Sequence, residues 1–349
     1  MNDYWKTNQN YVRVLIQLFA VGILTIHADA GPTLTDLWNE SAVWVKDSEN
    51  IGRDFGFYFI SILHDGHDLQ AYYIHNYRAE NSKLKSTVGR ARSLDGVTWT
   101  NDGMVLDVSH PTDEGATNAL SWDNRLASFP GIWKDGGTWY LVYEGAAENI
   151  GFSPGDIGLA ISTDGTNFVK YFMNPILRHS TDGWERVNIG TPSLYKENGL
   201  WYLFYHGFDG NVCQIGVASG VSLTNLAKSP ANPIVPVASR PNAWDFGTIG
   251  RRSGIVKEGR FYYFAFEGST AQPYDSAKWS SGFARSTNLL SGWTKFSRNP
   301  VIPQTSGGFG NDGPELLQLG KTWYLYARSP HGNASERFRL ISSDGKRNP

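Results

Sequence analysis

Four acidic residues recur at near-equivalent places along the chain: Asp54 in Arg-Asp-Phe, Asp123 in Trp-Asp-Asn, Glu185 in Trp-Glu-Arg and Asp245 in Trp-Asp-Phe. Carboxyls that converge can divide the duties of acid, base and pKa-tuning neighbour. A residue that recurs in every copy of a unit is as readily a structural device, here an aromatic-acid pair capping an incoming loop. A second set does not recur. Arg251-Arg252 and Asn311-Asp312-Gly313-Pro314 each occur once, and Glu144, His206, Glu267 and Arg328 each close an aromatic run. Two adjacent guanidinium groups, if buried, need an anion: a carboxylate such as Asp312 or Asp245, or an acidic group on a ligand. The four run-closing residues read equally as ligand contacts or as solvated strand ends and ion pairs.

These residues ride on a repeat. Phe129–Tyr143 and Thr191–Tyr205 share one pattern, an apolar strand, a polar glycine turn and an aromatic strand, which is a β-hairpin. It returns at Ser253–Phe266 and Pro314–Tyr326, and more loosely at Ile60–Ile74, with turn glycines at Gly66, Gly136, Gly199, Gly259 and Gly320. A second hairpin follows, opening on x-Gly-x-Ala-x-Ser at 88–93, 157–162 and 281–286 and turning through Ser-x-Asp-Gly at Ser93, Ser162 and Ser342. Five such units predict an all-β fold, a five-bladed β-propeller with four antiparallel strands per blade. The fifth unit stops one strand short, while Ser41–Lys46 has strand composition and no hairpin of its own. It is expected to join the last blade and close the ring.

Because strands alternate in direction, the start of each innermost strand and the end of each second strand share one face. The long insertions at 108–122, 144–156, 237–250 and 268–280 lie on that face, so the site is expected there, around the ring axis.

Composition narrows the ligand. With 31 Lys plus Arg against 33 Asp plus Glu, the net charge is -2, which argues against a nucleic-acid partner. The apolar stretch from Val14 to Ile26 is too short to span a membrane. It follows Lys6 and Arg13 and runs into Ala28-Asp29-Ala30, the order of a secretory signal. Residues 1–30 are therefore read as that signal and 31–349 as one domain, in a secreted or periplasmic protein. Cys213 is the only cysteine, so no intrachain disulfide and no thiolate cluster can form. Gly151–Gly155 matches Gly-x-Ser-x-Gly, but in a proline-containing loop rather than a strand-turn-helix. No zinc, nucleotide or calcium motif is present, so no cofactor is expected, with a metal at the ring centre left open. Oligomeric state is not legible.

The five hairpins, the run Pro192–Tyr205 and the run Ile157–Gly165 resemble the five-bladed β-propeller glycoside hydrolases, a group that includes glycoside hydrolase family 43 and the invertase and levansucrase families. The resemblance spans about residues 41–345. It implies a base on blade one, a modulator on blade two and an acid on blade three, which carry over to Asp54, Asp123 and Glu185. Family 43 also places Asp or Glu one or two residues before the strand proline, where this chain has Ser128-Phe129 and Gly190-Thr191. Asp312, before Gly313-Pro314, is closer to that pattern and is the rival carboxylate, to be paired with Glu267 or Asp123. The expected function is hydrolysis of a polysaccharide or oligosaccharide, with inversion, Trp or Tyr stacking on sugar rings, and Arg251 and Arg252 marking an acidic or sulfated sugar. The other readings are a non-catalytic carbohydrate-binding propeller and a polysaccharide lyase using His206 or a tyrosine as base.

Overall fold

The computed structural model describes residues 31–79, 83–110, 121–147, 155–271, 276–305 and 310–346. The segment read as an export signal and the Gly151–Gly155 motif's first four residues lie outside these.

The chain opens on a short helix, α1 (Leu34–Trp38), with Thr33 and Asp36 forming a capping box. A strand, β1 (Ala42–Ile51), follows. Five antiparallel meanders come next. The first is β2 (Ser61–His64), β3 (Leu69–Arg78), β4 (Leu84–Ser93) and β5 (Thr100–Leu106). The second is β6 (Leu126–Asp135), β7 (Thr138–Ala146), β8 (Gly155–Ser162) and β9 (Val169–Lys170). The third is β10 (Asn188–Glu197), β11 (Leu200–Phe208), β12 (Cys213–Ser222) and β13 (Asn225–Lys228). In the fourth the inner strand is split into β14 (Thr248–Arg252) and β15 (Val256–Glu258), followed by β16 (Phe261–Ser269), β17 (Ser280–Ser286) and β18 (Thr294–Lys295). The last supplies β19 (Glu315–Leu319), β20 (Thr322–Arg328) and β21 (Ser335–Ser342), and β1 pairs antiparallel with β21 from Ala42↔Ser342 to Ile51↔Ser335. The first two meanders count as one eight-stranded sheet through a single parallel rung, Ser86↔Leu126.

The apolar residues that the alternating pattern turns off each sheet face meet those of the next meander. Five hydrophobic clusters result among the described residues, each drawn from two meanders, and one joins Phe57 and Tyr73 of the first to Leu317 and Tyr326 of the last. The core thus lies between sheets.

Local chemistry explains the recurrent motifs. In the Ser-x-Asp-Gly turn, Ser162 Oγ accepts the Gly165 N–H at 3.0 Å and Asp164 accepts the N–H groups of Thr166 and Asn167 at 2.8 Å. The asparagine of each Asn-Pro segment imitates a missing strand. Asn174 accepts from Leu159 N and donates to Leu159 O, both at 2.9 Å, and Asn232 and Asn299 do the same to Val217 and Phe283.

Candidate active site

Three of the four repeated acids are tied to the outermost strands of their own meanders. Asp123 accepts from Lys170 at 2.8 Å and from the Tyr143 hydroxyl at 2.9 Å; Glu185 pairs with Lys228, and Asp245 with Lys295. All three acids are buried, and all three lysines stand on the outermost strands β9, β13 and β18. The tryptophans before them fill the space over Gly145, Gly207 and Gly268, where a Cβ would come within 2.2–2.6 Å of the indole. Asp54 is exposed; in that meander Asn101 stands where the lysine stands elsewhere, accepting from Tyr73 at 2.7 Å. Of the residues expected as base, modulator and acid, Asp54 stands exposed, while Asp123 and Glu185 each sit in a clasp that ties the incoming loop to the outer strand. Lys228→Met, which leaves Glu185 buried without its cation, should destabilise by about 2–3 kcal/mol, at or below the ~3–5 of a fully buried pair because water also reaches the lysine. A loss under about 0.5 kcal/mol in denaturant unfolding, the size of an ordinary surface change, would show that the clasp carries no weight.

A different layer is gathered at the starts of the inner strands. In the second, third and fourth meanders a bulge breaks the ladder there, between Ser128 and Gly131, Gly190 and Ser193, and Ile249 and Arg252. Phe59, Phe129, Thr191 and Gly313 turn left-handed at this position, with φ of 50°, 53°, 43° and 59°. Opposite them, at the ends of the second strands, stand Glu144, His206, Glu267 and Arg328, paired or bonded to Ser128, Gly190, Arg251 and Asp312. Here the sequence-predicted positions do come together.

Glu144, His206, Asn188 and Thr191 form a closed ring of hydrogen bonds. Asn188 Nδ2 donates to Glu144 Oε1 at 3.2 Å and the Thr191 N–H donates to Oε2 at 3.0 Å. With its amide nitrogen so placed, Asn188 turns its oxygen to His206, so Nε2 carries the proton at 2.8 Å while Nδ1 accepts from the Thr191 hydroxyl at 2.8 Å. Burial lowers the imidazole to about 3 and raises Glu144 to about 7, so the histidine stays neutral with one donor and one acceptor. Gly190 is required by this arrangement, since a Cβ there would sit 1.9 Å from Glu144 Oε2.

Across the layer, Glu267 accepts from Arg251 N at 2.8 Å and from Gly313 N at 2.6 Å. Asp312 is also buried. Its Oδ2 lies 3.5 Å from Arg328, and its Oδ1 has no partner among the described residues. Burial pushes both carboxyls above the ordinary range, and the Asp312 charge raises Glu267 further; Arg328 and Arg251 pull Asp312 part of the way back, and the two N–H bonds and Arg251 do the same for Glu267. The arginines separate. Arg252 spends its guanidinium on the carbonyls of Thr191 and Phe204 and on Ser193 Oγ, a plug between the third and fourth meanders. Arg251 donates Nη2 to Ile60 O at 2.5 Å, while its Nε and Nη1 have no partner among the described residues. The expected bridge to Asp245 is not formed, that acid being taken by Lys295. Glu315, not singled out from the sequence, accepts from Ile62 N at 3.2 Å and Gly254 N at 3.1 Å; burial raises its carboxyl to about 7, with the nearby Arg251 charge opposing the shift. Its place after Gly313-Pro314 in an inner strand was the available signal. Among the described residues no group of three or more His, Cys, Asp or Glu is disposed to hold a metal.

Two carboxyls whose surroundings push their proton affinities apart can act as an acid and a base on one substrate. No family model and no curated protein matches the chain. Solved structures do. One described as a glycoside hydrolase aligns over 89% of this chain and 94% of its own at 15% identity and a TM-score of 0.65. A thermostable family-43 glycoside hydrolase aligns over 82% and 88% at 17% identity and 0.59, and an exo-1,5-alpha-L-arabinanase from a bovine ruminal metagenomic library over 84% and 95% at 15% identity and 0.57. The chain therefore has the all-β propeller fold of these glycoside hydrolases.

Proposed function

We propose that this protein is an exported glycoside hydrolase acting on a polysaccharide or oligosaccharide, with Asp312 and Glu267 as its catalytic carboxyls. The observation that carries the assignment is Asp312, a buried carboxyl with one oxygen unpartnered among the described residues, one residue from the Gly313 N–H that Glu267 holds. Glu267, the more strongly raised, keeps its proton and serves as general acid; Asp312 serves as base. Glu144, His206 and Arg328 line the substrate's remaining contacts. Inversion is read from the resemblance alone, and NMR of the first-formed anomer tests it.

The fold is read further as five blades in one domain over 31–349, closed by β1. Supporting this, β2 lies against β6, β6 against β10, β10 against β14, β16 against β19, and β19 against β2. Export rests on the charged, apolar and small-residue order of residues 1–30; among the described residues no helix is long and apolar enough to cross a membrane. An acidic sugar is favoured by Arg251, whose unpartnered donors suit a carboxylate or sulfate, and no longer by Arg252.

The test is a panel of plant and algal glycans with matched neutral and uronate-bearing members. Reducing-end release without unsaturated-uronate absorbance is the expected result. The absorbance would make the protein a lyase, and binding without turnover would make it a carbohydrate-binding propeller.

A further inference from the structure

Phe59 and Phe129 are large aromatic residues held in left-handed backbone, at φ of 50° and 53°, where such side chains are outliers. The fold does not demand them there. The last meander uses Gly313 at the same place, a residue that takes this backbone without strain. Nor does the core demand them, because neither belongs to any of the five hydrophobic clusters found among the described residues, and both remain partly exposed while Phe57 and Tyr73 are fully buried. Strained residues that the scaffold does not need gather at functional sites.

Their rings are contiguous with the carboxyl pair. Phe59 occupies the space over Gly313, where a Cβ would lie 2.6 Å from Phe59 Cδ1, so its ring abuts the residue joining Asp312 to the Glu267 hydrogen bond. Phe129 meets Phe59 edge to face at 5.3 Å, and Tyr58 lies 5.4 Å from Phe59 in a tilted contact. Cations rim the strip: Arg251 stands 5.8 Å over Phe59, and Arg328 4.6 Å over Tyr58. An apolar surface with hydrogen-bond donors along its edge suits a ring that has a C–H face and a polar perimeter.

We propose that Phe59 and Phe129 are the platform on which a sugar ring of the substrate lies against the Asp312–Glu267 pair, its polar edge turned to Arg251. This rests on the placement of the active site given above and adds the residues that select the ring. Trp122, Trp184 and Trp244 are packed over glycines in the clasps and are not open to this role.

Phe59→Gly and Phe129→Gly separate a platform from a packing role, because glycine relieves the backbone while deleting the ring. Binding of arabinotriose, xylotriose, mannotriose and trigalacturonate to the full chain is measured by calorimetry at millimolar ligand, beside thermal melting. The expected result is that the wild type binds at least one, that each glycine variant weakens it about tenfold or more with Tm held or raised, and that Phe59→Tyr retains it. Binding unchanged in both glycine variants, binding lost only together with a large fall in Tm, or no binding of any of the four by the wild type overturns the proposal. Asp312→Asn keeps the two readings distinguishable. If it binds the probe and the platform variants do not, but no chain turns it over, the platform stands and hydrolysis falls.

Discussion

Asp312→Asn should lower kcat by about 10²–10⁴-fold on any glycan the wild type cleaves, and Glu267→Gln by a similar factor, the range that a positioned acid or base contributes. The pH profile carries the sharper signature. Activity needs Asp312 ionised and Glu267 protonated, and both carboxyls are raised by burial, so both limbs of the bell lie above ordinary carboxylate values and the optimum falls nearer neutrality than acid. Asp312→Asn removes the acidic limb, and Glu267→Gln the basic one. Stability should move the other way from activity. A carboxyl whose folded pKa exceeds its unfolded value stabilises most below the unfolded value and loses that contribution as pH rises through the folded one. Asparagine is exempt from that loss, so at neutral pH Asp312→Asn should melt within a few degrees of wild type or above it. A kcat within a few-fold of wild type would remove Asp312 from the chemistry and direct attention to Glu144.

Gly131→Ala is the second large effect, and it is one of stability. A Cβ on this β6 residue would lie 2.4 Å from Pro192 O and 2.8 Å from Ser193 Cα, both backbone atoms of β10. No side chain can rotate away, so the two inner strands must part, at a cost of about 3 kcal/mol or more, the upper end of overpacking penalties. Gly137 is the control: on the opposite hairpin, nothing lies within 4 Å of its Cβ position. Equal melting temperatures for Gly131→Ala and Gly137→Ala would sink the claim that these strands touch at backbone distance.

The repeat was legible because a hairpin writes itself in adjacent residues: Trp139–Tyr143 and Trp201–Tyr205 face the same partners in their own meanders. What the repeated acids do was not, since the partners that decide it are far along the chain. Lys170 is 47 residues beyond Asp123, Lys228 43 beyond Glu185 and Lys295 50 beyond Asp245. That near-constant offset was a readable sign of a structural clasp. The positions before the strand prolines lack the carboxylates that the resemblance implies, and Phe129 stands at one of them. Left-handed backbone at an aromatic residue has no signature in composition. Asp312 and Arg251 stand out in the sequence because they do not recur, and Glu267 because it closes an aromatic run.

The pairing of β1 with β21 has a consequence for how the chain is made. The first strand of the described fold hydrogen-bonds to the last, and Ser343 N also donates to Ser41 O at 2.8 Å. Until synthesis reaches the C-terminal strands, β1 has no ladder partner. A ladder between strands so distant in sequence forms slowly and late. A nascent chain is therefore obliged to remain incomplete for nearly its whole length, a state that leaves sheet edges open to aggregation. The same adjacency of β1 and β21 means that a circular permutant opened at the exposed Gly136-Gly137 hairpin would exchange this long-range pair for a local one and should reach its native state faster.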